Sequence, residues 1–339
     1  MTSRHTLEGL LVDPIDGAFF GALTLEGERI ASVDRREGGA RAPLVFPGFV
    51  DLHVYEPAGT AAEGVTAYLQ AARSVPAGLD DPLCLGVHLE GPFLNPQASG
   101  AIPPDEIRPV DLDALDDWLA GGLVRLVTVA PEIPAGLAAI ALAADRGAIA
   151  AVGHSRANAI TTQAAVEAGA RFATHAWNAT VPVRARSTGP VPALLVDDRV
   201  TIGLIADGRH LHPAVEELTV RAAGAHRIAL TSDLVASPAE RPDGSLLGGD
   251  RCGAGLVARM ARFGLPEAAA MASLVPARLL GLSDRGRIAP GYRADLAVLD
   301  AAFRPLETLV AGRPLSGLRY ADRGVAARSP SIRAPKGGA

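Results

Sequence analysis

Apolar and polar positions divide the chain into two styles. From Thr6 to about Leu44, short runs such as Gly9-Leu10-Leu11-Val12, Ala18-Phe19-Phe20 and Arg29-Ile30-Ala31-Ser32-Val33 are broken by turn residues such as Glu26-Gly27-Glu28. No helical period appears, so this part predicts β-hairpins. From Val45 the rhythm becomes apolar strand, loop, Ala-rich helix, with strands predicted at residues 45–53, 83–90, 123–130, 149–154, 171–175, 200–206 and 228–233. These runs are nearly continuous in apolar character, as parallel strands covered on both faces require. Helices are predicted at residues 61–74, 111–120, 135–146 and 157–168, the last three ending before Gly121, Gly147 and Gly169, and two more near residues 253–262 and 266–280. The β-rich style then returns, with a turn, strand and turn over residues 287–300 and another hairpin element at 308–312.

Regular alternation of strand and helix predicts a TIM-like (β/α) barrel at residues 45–285. Residues 1–44 and 286–327 predict a small composite β-sandwich domain built from both termini, and 328–339 a loose tail rich in Pro, Gly and Ser. Between Tyr55 and Leu83 only one helical stretch is legible, although a βαβ step takes about 30 residues or more. The barrel is therefore expected to lack its second β/α unit, the alternative being a strand concealed around Gly64 to Leu69.

Composition narrows the function. With 339 residues and 48% apolar content the chain supports a large core, and a formal charge of -5 gives no general attraction for nucleic acid or an anionic membrane. No signal peptide or transmembrane run is read, so the expected location is cytoplasmic. Cys84 and Cys252 form no CxxC pair, and Cys84 is expected as a buried thiol within its strand. The single lysine, Lys336, lies in the tail, which disfavours Schiff-base chemistry or a carboxylated lysine bridging two metals.

Candidate chemistry collects at the strand ends, where α/β folds place their ligands. Glu90 ends an apolar strand before Gly91-Pro92, and His53, His154, His175 and Asp233 take the same topological position, with His210 just beyond another strand. One glutamate and two histidines suit a divalent ion with an open position for water, which such an ion acidifies to a pKa of about 7. Asp233 is then placed to take a proton and return it to a leaving amine. His5, His88, His212 and His226 lack this placement and are read as structural or surface residues. Asp207 is read as a turn cap and Glu132 as a cap of the following helix.

The motifs Pro47-Gly48-Phe49-Val50-Asp51-Leu52-His53, His88-Leu89-Glu90-Gly91-Pro92-Phe93-Leu94-Asn95, Val152-Gly153-His154-Ser155, Thr174-His175-Ala176-Trp177-Asn178-Ala179 and Ile205-Ala206-Asp207-Gly208-Arg209-His210 resemble the N-acetylglucosamine-6-phosphate deacetylases of the amidohydrolase superfamily. The resemblance covers nearly the whole chain. It implies hydrolytic deacetylation of an N-acetylhexosamine 6-phosphate by a metal-activated water, with Glu90, His154 and His175 holding the ion and Asp233 as acid and base. It also implies that Ala101, Asn178, Ala179, Leu247, Gly248 and Gly249 line the sugar phosphate site. Arg186 and His210 would reach the phosphate or sugar, one of them from the neighbouring subunit of a homodimer.

Three departures stand out. The superfamily's His-x-His is here His53-Val54-Tyr55, which leaves His53 and Tyr55 as accessory positions and favours one divalent ion per chain, zinc or iron first. The second β/α unit is missing from the count. At the substrate mouth the loop from Leu234 to Gly244 is short, and Ile102 stands where the family usually has a histidine. The alternatives are an amidohydrolase acting on another N-acyl amine or cyclic amide, and a non-catalytic sugar-phosphate binder with an incomplete barrel.

Overall fold

The computed structural model describes residues 4–38, 42–54, 65, 66, 69, 84–235, 239, 240, 246–249, 251 and 253–315. Among them, two large sheets organise the chain. The first contains β1 (Arg4–Asp13), β2 (Gly17–Glu26), β3 (Arg29–Arg35), β4 (Leu44–Pro47), β13 (Leu296–Leu299), β14 (Pro305–Val310) and β15 (Arg313–Pro314), in the order β15-β14-β13-β4-β1-β2-β3. Both ends of the chain thus share one sheet, with β13 antiparallel to β4 and β4 parallel to β1. Asp13, fully buried, ties them together by accepting from Arg287 Nη2 at 2.9 Å and from the Ile288 backbone N–H at 2.8 Å.

The second sheet is parallel and runs β10-β9-β8-β7-β6-β5, from β10 (Ile228–Leu230), β9 (Thr201–Leu204), β8 (Ala170–Ala173), β7 (Ile149–Val152) and β6 (Val124–Val129) to β5 (Val87–Glu90). It is the curved wall of a TIM-like barrel. Residues 50–54 lie beside the end of β10, where Asp233 N–H donates to the His53 carbonyl at 2.9 Å and Val54 bridges to Leu234. Leu52, Leu126, Ala151, Phe172 and Ala229 belong to one buried cluster drawn from four strands and the segment of residues 50–54. Alternate residues such as Val127, Ala150, Ala173 and Ile202 belong to the larger core that includes the helices. This two-sided burial is why the strands read as continuous apolar runs.

Two helix starts carry the side-chain caps that their sequences suggest. Asp111 accepts from Ala114 N to open Leu112–Leu119, and Asn158 accepts from Thr161 N to open Ala159–Glu167. Helices Pro190–Val196 and Pro213–Ala223, absent from the sequence reading, both start at a proline, whose missing N–H is harmless there.

Other expectations change. The single strand expected over residues 45–53 stops at Pro47, in the terminal sheet; residues 48–53 form no strand, and the contact with the barrel is an isolated bridge at Val54. The helix expected over residues 266–280 is two α-helical turns joined through a π-helical stretch, Ala270–Leu274. Cys84 is exposed rather than buried, because β5 begins only at Val87. Of residues 55–83, where the count is one β/α unit short, Val65, Thr66 and Leu69 are described and all three are helical; the question of the unit lies outside the described residues. The tail and Cys252 lie outside them as well. No helix of the described residues is long and apolar enough to cross a membrane.

Candidate active site

Four of the six strands of the parallel sheet deliver a polar residue at or just past their C-terminal end. Glu90 ends β5, while His154, His175 and Asp233 follow β7, β8 and β10 within three residues. Gly153 permits the first of these turns, since a Cβ there would meet Thr128 Cγ2 at 2.7 Å and Thr174 Cβ at 3.0 Å. His154, His175 and Asp233 have φ of 47°, 29° and 49°, in the left-handed region that side chains seldom occupy. Such conformations cost about 1–3 kcal/mol each and persist where the surroundings over-determine them, typically at functional sites.

The side chains converge on one carboxylate oxygen. Glu90 Oε1 lies 2.7 Å from His175 Nε2, 3.0 Å from His154 Nε2 and 3.4 Å from His53 Nε2. His53 Nε2 also lies 3.1 Å from Asp233 Oδ1. The three imidazoles are nearly fully buried.

These donors suit a divalent cation. His154 Nδ1 is 2.9 Å from the Ala98 carbonyl, which only accepts, so Nδ1 carries the proton and the Nε2 lone pair faces Glu90. Two lone pairs at 3.0 Å call for a cation between them. His175 Nδ1 is buried without a hydrogen-bond partner. The ligand atoms of His53, Glu90 and His175 lie within 4.8 Å of one another. Glu90 and His175 are therefore common to two sets of three, one completed by His154 as the sequence suggested and one by His53. Of these two, His154 has its proton fixed on the far nitrogen, whereas His53 is engaged by Asp233.

Electrostatics reinforce the convergence. Burial opposes ionisation of Glu90, but nearby histidine charge, that of His53 first, outweighs it and holds the carboxyl well below the usual range. Burial likewise opposes protonation of His53, yet Glu90 and Asp233 raise it well above an ordinary imidazole. His88, read as structural, packs against this centre. Its Nδ1 lies 2.9 Å from His53 Nδ1 and 3.1 Å from the Leu52 carbonyl, and its Nε2 lies 2.7 Å from Thr128 Oγ1. Burial and then the nearby His53 hold His88 well below the usual imidazole value, which favours the neutral ring.

Above the carboxylate opens a pocket of about 300 Å³, lined by Glu90, His154, His175 and Asp233 together with Ala101, Asn178, Ala179, His210 and Gly248 from the sequence reading. Asn178 Nδ2 is buried without a partner. His210 Nδ1 lies 2.8 Å from Asp207 Oδ2, and Asp207 also accepts from the backbone N–H groups of Arg209 and His210. The Asp207 turn is as expected, but it also orients a pocket imidazole. Gly249 lies behind the pocket, its N–H donating to the Asp233 carbonyl at 2.7 Å, and a Cβ there would meet the Ser232 carbonyl oxygen at 2.0 Å. Leu247 pairs with Ala239 in a two-residue strand. Arg186 is exposed on the turn between Arg184 and Ser187 and does not line this chain's pocket. Tyr55 lies outside the described residues.

The sequence reading missed Gly100, Trp177, Arg209, Val235 and Leu246, which line the pocket with Ile102, the residue expected at the substrate mouth. Trp177 and Arg209 adjoin residues it did select, so adjacency was the available signal. Glu132 is a correction: it does not cap a helix, because Gly136–Asp145 is entered through Ala135 with no side-chain cap.

The chain matches the model of the amidohydrolase family over residues 55–315. It is 29% identical to N-acetylglucosamine-6-phosphate deacetylase from Lysinibacillus sphaericus, over 83% of this chain and 87% of that protein. It is 31% identical to N-acetylgalactosamine-6-phosphate deacetylase from Escherichia coli O157:H7, over 80% and 88%. Its fold matches a mutant N-acetyl-D-glucosamine-6-phosphate deacetylase from Mycobacterium smegmatis in complex with N-acetyl-D-glucosamine-6-phosphate, with a TM-score of 0.83, 28% identity and coverage of 92% and 99%. The chain belongs to the amidohydrolase family, in its N-acetylglucosamine-6-phosphate deacetylase branch.

Proposed function

We propose that this chain hydrolyses the acetamide of N-acetylglucosamine 6-phosphate, or of a close N-acetylhexosamine 6-phosphate, to the amino sugar phosphate and acetate. The observation that carries this reading is the convergence of three imidazole nitrogens on Glu90 Oε1 beneath a pocket. In this assignment Glu90, His154 and His175 hold one divalent ion, zinc or iron, and His53 is an accessory group. When bound there, the ion polarises an amide carbonyl and acidifies a water.

The chain's own residues supply the rest. Asp233, 3.1 Å from His53 Nε2, takes the proton of the attacking water at a carboxylate oxygen and passes it to the departing amine. His53 holds that carboxylate toward the site. Asn178 Nδ2, buried and unpartnered, donates to a substrate oxygen. His210, oriented by Asp207, and Arg186, from a second copy of the chain, meet the anionic end, since a chain of charge -5 must bind phosphate through local cations. A homodimer and a cytoplasmic location belong to the same reading.

Acetate release, measured with added zinc on N-acetylglucosamine and N-acetylgalactosamine with and without the 6-phosphate, tests the function. Turnover of a phosphorylated sugar well above its unphosphorylated counterpart is expected; equal rates, or none on any of the four, contradict it.

A further inference from the structure

The loops after β5, β6 and β7 meet on a carboxylate that neither lines the pocket nor reaches Glu90. Glu132 stands three residues after β6. Its Oε1 accepts from Asn95 Nδ2 at 2.8 Å and from the backbone N–H of Arg156, and its Oε2 accepts from Ser155 Oγ at 2.7 Å. Ser155 Oγ accepts in turn from Ala157 N–H at 3.0 Å, so the chain leaving His154 is pinned at successive residues.

The Asn95 arm reaches His154 from the other side. Asn95 N–H donates to the His154 carbonyl at 3.1 Å, while Asn95 Oδ1 accepts from Gln97 N–H at 2.9 Å and caps the turn Pro96–Ala98. That turn presents the Ala98 carbonyl, 2.9 Å from His154 Nδ1. One carboxylate is therefore connected both to the backbone that holds His154 at φ 47° and to the carbonyl that fixes its tautomer.

We propose that Glu132 is a positioning residue that holds His154 with its Nε2 lone pair aimed at the Glu90 oxygen. It touches neither substrate nor ion. The inference rests on the assignment of His154 as a metal ligand. Partners that orient a ligating histidine are typically worth about 10–100-fold in metal affinity or activity.

Zinc affinity of the full chain, measured by competition with a chelator after metal removal, tests this in Glu132→Ala and Glu132→Gln. Glu216→Gln serves as a control, because it weakens ion pairs of a buried carboxylate with Arg259 and Arg262, none of which lines the pocket. Glu132→Ala is expected to weaken zinc binding about 10–100-fold. Glu132→Gln, which keeps one carbonyl acceptor but turns an NH₂ toward the remaining donors, should fall between it and the unmodified chain. If Glu132→Ala does not fold, Ser155→Ala and Asn95→Ala each remove one arm, and each should weaken binding by a smaller factor.

The proposal is overturned if Glu132→Ala, or both arm variants, bind zinc within about twofold of the unmodified chain, well short of that range. It is overturned equally if Glu216→Gln loses as much affinity at a matched loss of Tm. An unmodified chain that takes up no ion contradicts instead the ligand assignment on which the proposal stands.

Discussion

Three imidazole nitrogens lie within 3.4 Å of Glu90 Oε1. Removing a carboxylate from water is unfavourable unless positive charge accompanies it, and the histidines hold Glu90 ionised despite its burial. Asp233 sits at the edge of the same cluster, 17% exposed at its side chain, where it keeps access to the pocket. Its assigned task is proton transfer, which contributes about 10²–10⁴-fold to rate. Asp233→Asn should lower turnover by about that factor while metal content, read by elemental analysis, stays unchanged. Retained turnover contradicts the acid-base role, and loss of metal makes Asp233 a ligand instead. Asp207 works differently: burial opposes its charge, but His210 and two backbone N–H groups outweigh it and keep it below the usual carboxylate range. Its hold on His210 therefore persists at neutral and mildly acid pH.

At the scale of elements, helix Pro190–Val196 is fastened to its neighbours through Asp197, which follows it. Arg199 grips Asp197 by two bonds of 2.9 and 2.8 Å and reaches Glu167 at 2.9 Å, and it pushes the Asp197 pKa down to about 2. A carboxylate whose folded pKa is depressed adds stability that is complete above its unfolded value of about 3.9 and is lost as pH falls through the folded one. Arg199→Ala should therefore lower Tm slightly at pH 7, and the two Tm curves should converge as pH falls from about 4 to about 2. Because Arg199 is 41% exposed at its side chain and solvent screens the pair, the neutral-pH effect is at most about 2 °C. Parallel Tm curves across that range contradict this linkage. This contact was not legible in the sequence, because the helix that ends at Val196 starts with proline and is too short to display a 3.6-residue period. The strands were legible for the opposite reason: residues such as Leu126 and Val127, buried on opposite faces, leave an unbroken apolar run. The end of the strand at Pro47 was hidden by the same property, since apolar residues continue through it without forming a ladder.

At the scale of the molecule, Asp13 clasps the two ends of the chain in one sheet while the barrel gathers its strand ends over a single pocket. Glu90, His154, His175 and Asp233 could be singled out because a barrel repeats one geometry: a polar residue just past an apolar strand recurs at the same rim. Glu132 and His88 could not, since their partners, Asn95 and Ser155 for one and Leu52, His53 and Thr128 for the other, meet them only after the sheet curves. His53 was half legible: its strand end was visible, while its 3.1 Å approach to Asp233 depends on residues 50–54 lying beside β10. On the proposed ligand set, Glu90 gathers one divalent ion at this rim. Elemental analysis of the full chain and of Glu90→Ala, both prepared with zinc and then dialysed, tests this. About one ion per chain and nearly none in the variant are expected; an unchanged ion content in Glu90→Ala, or no ion in either, contradicts the account.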